Sequence, residues 1–159
     1  MSDQPKPAAP PSRRQAARLA AVQALYQWQE GEHAPAEIIE QFLNVRTGEA
    51  GEGGMRRDAD RPLFKDVVEG TVAHKDELEQ TVSAALAEDW TWKRVDRLVR
   101  AILLAGAYEL LHRRDVPPRV AINKYVEIAH AFYDQGEPSF INSVLDRVAR
   151  QARSAELVR

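Results

Sequence analysis

The chain has 159 residues, of which 44% are hydrophobic and 29% are charged, and these are the proportions of an ordinary globular protein. It has no cysteine, which excludes disulfides, a thiolate metal site and a cysteine nucleophile. The longest apolar run, 101–111, is interrupted by Glu109 and is far shorter than the roughly 20 residues of a membrane helix. We therefore expect a protein that does not enter the membrane and that works in the cytoplasm.

The charges are unevenly distributed, although the net charge is only −2. Residues 1–18 carry four basic side chains against one acidic, residues 19–90 six against fifteen, and residues 91–159 twelve against eight. A basic N-terminal edge and a basic C-terminal half would form one positive surface if folding brought them together, and such surfaces bind nucleic acid. The alternative is that these charges lie on solvated helix faces.

The N-terminal segment, residues 1–12, is rich in proline and polar residues, which predicts a disordered tail. Helical periodicity then runs from Ser12, a residue type that often caps helices, to Gln29. The apolar stripe of this predicted first helix includes Val22, Leu25 and Tyr26. A second helix is predicted over 35–45, because proline is favoured in a first helical turn.

A long, glycine-rich loop follows at 46–61. It follows no predicted strand and lacks the Lys-Ser/Thr pair of a P-loop, so a phosphate cradle is not indicated. The apolar positions over 62–87 then predict one long helix or two abutting helices, with a bend near Gly70.

The C-terminal half has the clearest helical pattern. Residues 101–111 are apolar almost all round, which predicts a helix at the centre of a bundle, with Gly106 allowing the close approach of a neighbour. After a break at 115–118, an apolar stripe over 122–133 predicts the next helix, and the last helix begins after Gly136. The fold class predicted from these patterns is all-α, with six to seven helices.

Motifs for catalysis or metal binding do not occur. The four histidines, at positions 33, 74, 112 and 130, stand in different segments, and none belongs to an HExxH pair. No serine stands in a GxSxG motif, and no group suggests a cofactor. We therefore predict no enzyme activity, no metal and no cofactor. Glu109 is the unusual carboxylate, because within an apolar helix it requires a polar edge, an internal cation or an outside partner.

The first helix carries the strongest signal for nucleic-acid binding. Arg14 and Arg18 lie four residues apart, with Arg13 beside them, and such spacing predicts one helix face. Like charges so placed repel each other, whereas a phosphate backbone would make them favourable. A second basic set consists of Lys93, Arg97 and Arg100, which would form either a binding stripe or a solubilising one.

Five sequence blocks, taken in order, resemble the NusB family of transcription antitermination factors from about Arg13 to Val148. The blocks are RRQAARLAAVQALYQW, FKDVVEGTV, VDRLVRAILLAGAYEL, DVPPRVAINKYVEIAHAFY and FINSVLDRVA. The resemblance implies a NusB-like domain over 13–159 that consists of two packed helical bundles. The predicted halves of this domain are 13–89 and 90–152.

The resemblance also implies a function. Members of this family bind the boxA element of ribosomal and antitermination transcripts together with NusE, a ribosomal protein, so that RNA polymerase resists termination. By this resemblance Arg14 and Arg18 match the RNA-facing arginines, with Arg13 next to them, and Phe140 matches an aromatic residue at the RNA surface. Glu109 matches a position on the side that faces NusE.

Two other functions remain open at this stage. NusB-like domains also occur joined to RNA cytosine methyltransferases, which would make the chain part of an enzyme. Alternatively, the chain is a purely protein-binding or self-associating helical scaffold. A homodimer that hides its RNA-binding face would be compatible with both functions.

Overall fold

Seven α-helices and one short 3₁₀ helix are formed by residues 12–44 and 55–153, the residues that this computed structural model describes. The α-helices are α1 (Arg13–Gln29), α2 (Pro35–Leu43), α3 (Arg61–Ala73), α4 (Lys75–Ala84), α5 (Arg97–His112), α6 (Pro118–Phe132) and α7 (Glu137–Ala152), and the 3₁₀ helix is Trp92–Arg94. The all-α class and the number of helices are therefore confirmed. The predicted tail, apart from Ser12, and most of the glycine-rich loop lie outside the described residues.

Local capping signals set several helix boundaries. The side chain of Ser12 accepts a hydrogen bond from the Gln15 backbone N–H at 3.0 Å, as expected of an N-cap. The side chain of Asp60 caps α3 in the same way, accepting from the backbone N–H of Leu63 at 3.1 Å. The last helix begins directly after Gly136, whose positive φ of 72° suits a glycine.

The break between the two helices of this segment does not lie at Gly70, near which a bend was predicted. The segment consists of two abutting helices, but these separate at His74, and Gly70 lies within α3. A Cβ atom at Gly70 would collide with the ring of Tyr108 on α5. The glycine is required because two helices pack closely at this position.

The centre of the molecule is α5, as its apolar sequence predicts. Residues 101–110 are all buried, and the helix packs against α1, α3, α4, α6 and α7. Gly106 allows the close contact expected of it, since a Cβ there would lie 2.9 Å from the Leu145 side chain of α7. Helix α5 contacts helices from both halves of the chain, so these contacts do not separate the two halves. The division into 13–89 and 90–152 therefore stays a prediction.

Two aromatic residues of the predicted apolar stripes lie at the surface instead. Tyr26 is 38% exposed and Phe132 is 40% exposed. Both occupy the last turn of their helices, where neighbouring helices cover the stripe less fully. Among the described residues, no helix is long and apolar enough to cross a membrane.

Candidate nucleic-acid interface

The predicted arginine face of α1 is divided between the surface and the interior. Arg18 is only 3% exposed, and it forms a two-point ion pair with the completely buried Glu109 of α5. The two bonds join Arg18 Nε to Glu109 Oε2 at 2.8 Å and Arg18 Nη2 to Glu109 Oε1 at 3.2 Å. Of the three environments that were open for Glu109, the structure shows the internal cation.

This pair corrects the expected surface position of both residues. A guanidinium that is enclosed and bound through two of its three nitrogens does not face RNA, and a carboxylate without exposed surface does not face a protein partner. The physical reason is that Arg18 lies on the side of α1 that packs against α5, where an unpaired charge would be costly. The role of Arg18 in RNA binding and that of Glu109 in partner binding stay predictions. In this conformation each residue would act only through the positions of the helices that the pair joins.

A buried tyrosine of α6 lies beside the same pair. Tyr125 has no exposed surface, and its hydroxyl has no hydrogen-bond partner among the described residues. Burial raises the pKa of Tyr125 well above its usual value, and the negative charge of Glu109 raises it further. The ion pair thus joins α1 to α5, and the buried Tyr125 of α6 lies close enough for the charge of Glu109 to affect it.

Arg13 and Arg14 do lie at the surface. Arg13 Nε donates to the backbone oxygen of Asp58 at 2.7 Å, and Arg14 is 57% exposed, with its Nε 3.9 Å from Asp60 Oδ2. Arg56 lies at the same edge, where its ion pair with Asp58 at 2.6 Å lowers the pKa of that carboxyl group. We call these three arginines, Arg13, Arg14 and Arg56, the arginine cluster.

Phe140 lies in a second surface feature, an apolar cleft. Its ring centroid is 5.4 Å from that of Trp90, which is 40% exposed, and the Arg94 guanidinium lies over the Trp90 ring at 5.2 Å. The cleft has a volume of about 370 Å³. We call it the aromatic cleft; it is lined by Trp90, Arg94, Val95, Asp96, Val99, Gly136, Glu137 and Phe140.

The start of α7 offers fewer phosphate-binding groups than a helix N-terminus usually does. The backbone N–H of Glu137 already donates to Gln135, Pro138 has no N–H, and the N–H of Phe140 donates to Gly136. Glu137 also places a negative charge at this helix start. The aromatic cleft is therefore better suited to an unpaired base than to a phosphate group.

The arginine cluster and the aromatic cleft lie near opposite ends of α1. Asp96 of the cleft accepts a hydrogen bond from the Tyr133 hydroxyl at 2.6 Å. Burial raises the pKa of Tyr133, and the hydrogen bond to Asp96 raises it further. Glu30, which follows α1, pairs with Arg97, the neighbour of Asp96, so the end of α1 lies beside the cleft. Arg14 lies in the first turn of α1, whose 17 residues span about 25 Å, so most of the length of this helix lies between the two features.

The second basic set does not form the predicted stripe. Lys93 lies in the 3₁₀ helix and α5 starts only at Arg97, so no helical spacing joins them. Arg97 pairs with Glu30 at 3.4 Å, and Arg100 bends back to donate to the backbone oxygens of Val95 and Lys93. Sequence reasoning instead missed Trp90 and Arg94 as partners of Phe140, because the sequence shows only that a tryptophan stands four residues before an arginine.

Comparisons with known proteins agree with the family resemblance of the sequence blocks. The model of the NusB family matches residues 15–150 of the chain. The chain is 44% identical to the transcription antitermination protein NusB of Rhizobium rhizogenes over 95% of this chain and 94% of the relative. It is 46% identical to the protein of the same name from Rhizobium etli, over 97% and 98% of the two chains.

Solved structures share the fold. NusB of T. maritima superposes with a TM-score of 0.73 at 25% identity, covering 95% of this chain and all of the other. A chain from a complex of the antitermination factors NusB and NusE with double-stranded RNA superposes with a TM-score of 0.70 at 22% identity, covering 87% and 97% of the two chains. At that identity, the complex shows a likeness of fold alone.

Proposed function

The chain belongs to the NusB family, and from this we propose that it is a transcription antitermination factor that binds boxA-type RNA together with NusE. In this function it helps RNA polymerase to resist termination in the cytoplasm. It acts as an adaptor that holds RNA and a protein partner, performs no chemistry and requires no cofactor. The names of relatives that are 44% and 46% identical over nearly the whole chain support this function.

The aromatic cleft is the observation that carries RNA binding. Proteins recognise single-stranded RNA largely by stacking its unpaired bases on aromatic rings and arginine guanidinium planes. Phe140, Trp90 and Arg94 present both kinds of group in one cleft. The arginine cluster, near the other end of α1, would contact the phosphates of the same strand through Arg13 and Arg14.

Arg18 and Glu109 contribute to this function as positioning residues. Their ion pair joins α1, which carries Arg13 and Arg14, to α5, which packs directly against α7 and its Phe140. Loss of the pair would therefore change RNA affinity through the placement of α1. A NusE contact at Glu109 would likewise be indirect, through the surface that α5 supports.

The RNA site is tested by fluorescence anisotropy with a labelled boxA-like single strand at two salt concentrations. We expect Phe140→Ala to weaken binding by about 10-fold or more, because one stacked base contributes about 1–3 kcal/mol. Arg14→Ala should weaken binding and make the salt dependence shallower by roughly one unit, because one phosphate contact is lost.

Lys65→Ala is the matched control, since Lys65 is as exposed as Arg14 but lies on α3 and pairs with Glu69. It should leave RNA binding unchanged. Wild-type affinity in both Phe140→Ala and Arg14→Ala would refute the site. A NusE pull-down with and without RNA tests the partner, and binding of NusE without any RNA binding would instead indicate a protein-binding scaffold or an RNA face hidden in a homodimer.

The alternative of a methyltransferase-linked domain is less well supported. The relatives named as antitermination proteins match this chain over 94% and 98% of their own lengths. Calorimetric detection of S-adenosylmethionine binding would favour the methyltransferase alternative.

A further inference from the structure

A cluster of two histidines and one glutamate lies where α3, α4 and α5 meet. His74 is the residue between α3 and α4, Glu77 lies in the first turn of α4, and His112 is the last residue of α5. Glu77 approaches both histidines, with Oε1 2.8 Å from His112 Nε2 and Oε2 3.7 Å from His74 Nδ1. The two imidazole rings are stacked, with centroids 4.0 Å apart.

The geometry of this cluster is close to that of a metal site. One ligand atom from each of the three residues lies within 4.8 Å of the others. Tetrahedral zinc, with bonds of about 2.0–2.2 Å, places its ligands about 3.4 Å apart. The required contraction is therefore about 1.4 Å at most, which rotation of these partly exposed side chains can supply.

The donor atoms also suit zinc. Two imidazole nitrogens and one carboxylate oxygen are the protein ligands of several open zinc sites, in which water occupies the fourth position. The three side chains are 28% to 47% exposed, so an ion and its water ligand can reach them. The Lys75 ammonium, next to His74 in the chain, lies 4.0 Å from a Glu79 oxygen.

A rigid wall supports one side of the cluster. The ring of Tyr108 lies 5.5 Å from the His112 ring and 6.3 Å from the His74 ring. Tyr108 is itself fixed by the close contact with Gly70 and by a hydrogen bond to Asp66 at 2.9 Å. The two histidines are thus held near each other by packing, which lowers the entropic cost of binding an ion.

We propose that His74, Glu77 and His112 form a Zn²⁺ site that fastens the start of α4 to the end of α5. This site is independent of RNA binding, since its residues belong neither to the arginine cluster nor to the aromatic cleft. It also differs from the prediction from sequence, in which the four histidines were unrelated. The bound ion stabilises the folded state, because the unfolded chain does not hold the three ligands together.

The site is tested by titrating the full-length protein, without a histidine tag, with ZnCl₂ in a calorimeter. We expect one ion per chain, and a rise in the thermal midpoint of about 3–5 °C when free zinc exceeds its Kd tenfold. His112→Ala, His74→Ala and Glu77→Gln should each weaken zinc binding at least 10-fold. Co²⁺ titration, followed by its visible absorption, gives a second readout of imidazole coordination.

His33→Ala is the matched control, because His33 pairs with Glu37 at 3.3 Å on α2 but has no second histidine in that pair. This variant should bind zinc like the wild type. Circular dichroism identifies any variant that fails to fold, and Glu77→Gln is the mildest of the three changes. Absence of zinc binding by the wild-type protein, or binding that survives both histidine substitutions, would show that the cluster is only an ion pair between two helices.

Discussion

At the scale of single residues, the Arg18–Glu109 pair is the most consequential contact. It joins two charges that are almost completely removed from water and are held by two hydrogen bonds, of 2.8 and 3.2 Å. Such a pair contributes little net stability relative to apolar residues of the same shape, but the loss of one partner leaves an uncompensated buried charge. Replacing either residue alone should therefore destabilise the protein more than replacing both.

We expect Glu109→Gln to destabilise the protein by about 3–5 kcal/mol, because Arg18 would keep its charge in the core without a counter-ion. Urea unfolding followed by circular dichroism measures this loss. The double variant Arg18→Met/Glu109→Leu should recover most of it.

The exposed pair of Arg97 and Glu30 provides the comparison. Arg97→Ala should cost less than about 1 kcal/mol, as is usual for surface ion pairs. A loss below 1 kcal/mol for Glu109→Gln would show that water reaches the buried pair.

At the scale of helices, the packing of α3 against α5 depends on a missing side chain. Gly70 lies directly against the ring of Tyr108, and the hydroxyl of Tyr108 donates to Asp66, one turn earlier on α3. Arg113 Nη1 donates to the other oxygen of Asp66 at 2.7 Å. Helix α3 thus contacts the Tyr108 ring through Gly70, and its Asp66 accepts hydrogen bonds from Tyr108 and Arg113.

We expect Gly70→Ala to destabilise the protein by about 1–3 kcal/mol, although alanine is the better helix former, because the added methyl group displaces Tyr108. The decisive measurement repeats this substitution in a Tyr108→Ala background. There the added methyl should be neutral or stabilising by up to about 1 kcal/mol. An equal cost in both backgrounds would mean that the collision with the ring is not the cause.

At the scale of the whole molecule, three tyrosines on α5, on α6 and directly after α6 determine how stability changes at high pH. Tyr108 of this helix has its pKa raised to about 12, first by burial and then by Asp66. Burial also raises the pKa of Tyr125 and Tyr133 on and after α6. The folded protein thus retains phenolic protons that the unfolded chain loses near pH 10.

The sign of the resulting pH effect follows from proton binding. Between pH 10 and about 12 the unfolded state binds fewer protons at Tyr108, so the free energy of unfolding falls as the pH rises. Below pH 10 this contribution is fully present. Tyr108→Phe should make the fall shallower without abolishing it, because Tyr125 and Tyr133 remain. Urea unfolding at pH 9, 10 and 11 measures the slope, and an unchanged slope would contradict this role of Tyr108.

The sequence alone was sufficient for the helical architecture. Ser12 marked the start of α1, Gly136 the start of α7, and the run 101–111 the central helix. These signals depend on residues within one or two helical turns, so they can be recognised along the chain. The five blocks that resemble the NusB family also predicted the membership that the family match confirms.

Only the tertiary structure decided the environment of the charged and aromatic side chains. Arg18 and Glu109 are 91 residues apart in sequence, and His112 and Glu77 are 35 apart. Helical spacing predicted that Arg14 and Arg18 share one face, but it could not predict which of them α5 would cover. Likewise, neither Trp90 nor Phe140 indicated the other. Such contacts depend on how helices pack, and that is set by the burial of the whole apolar surface and not by any local pattern.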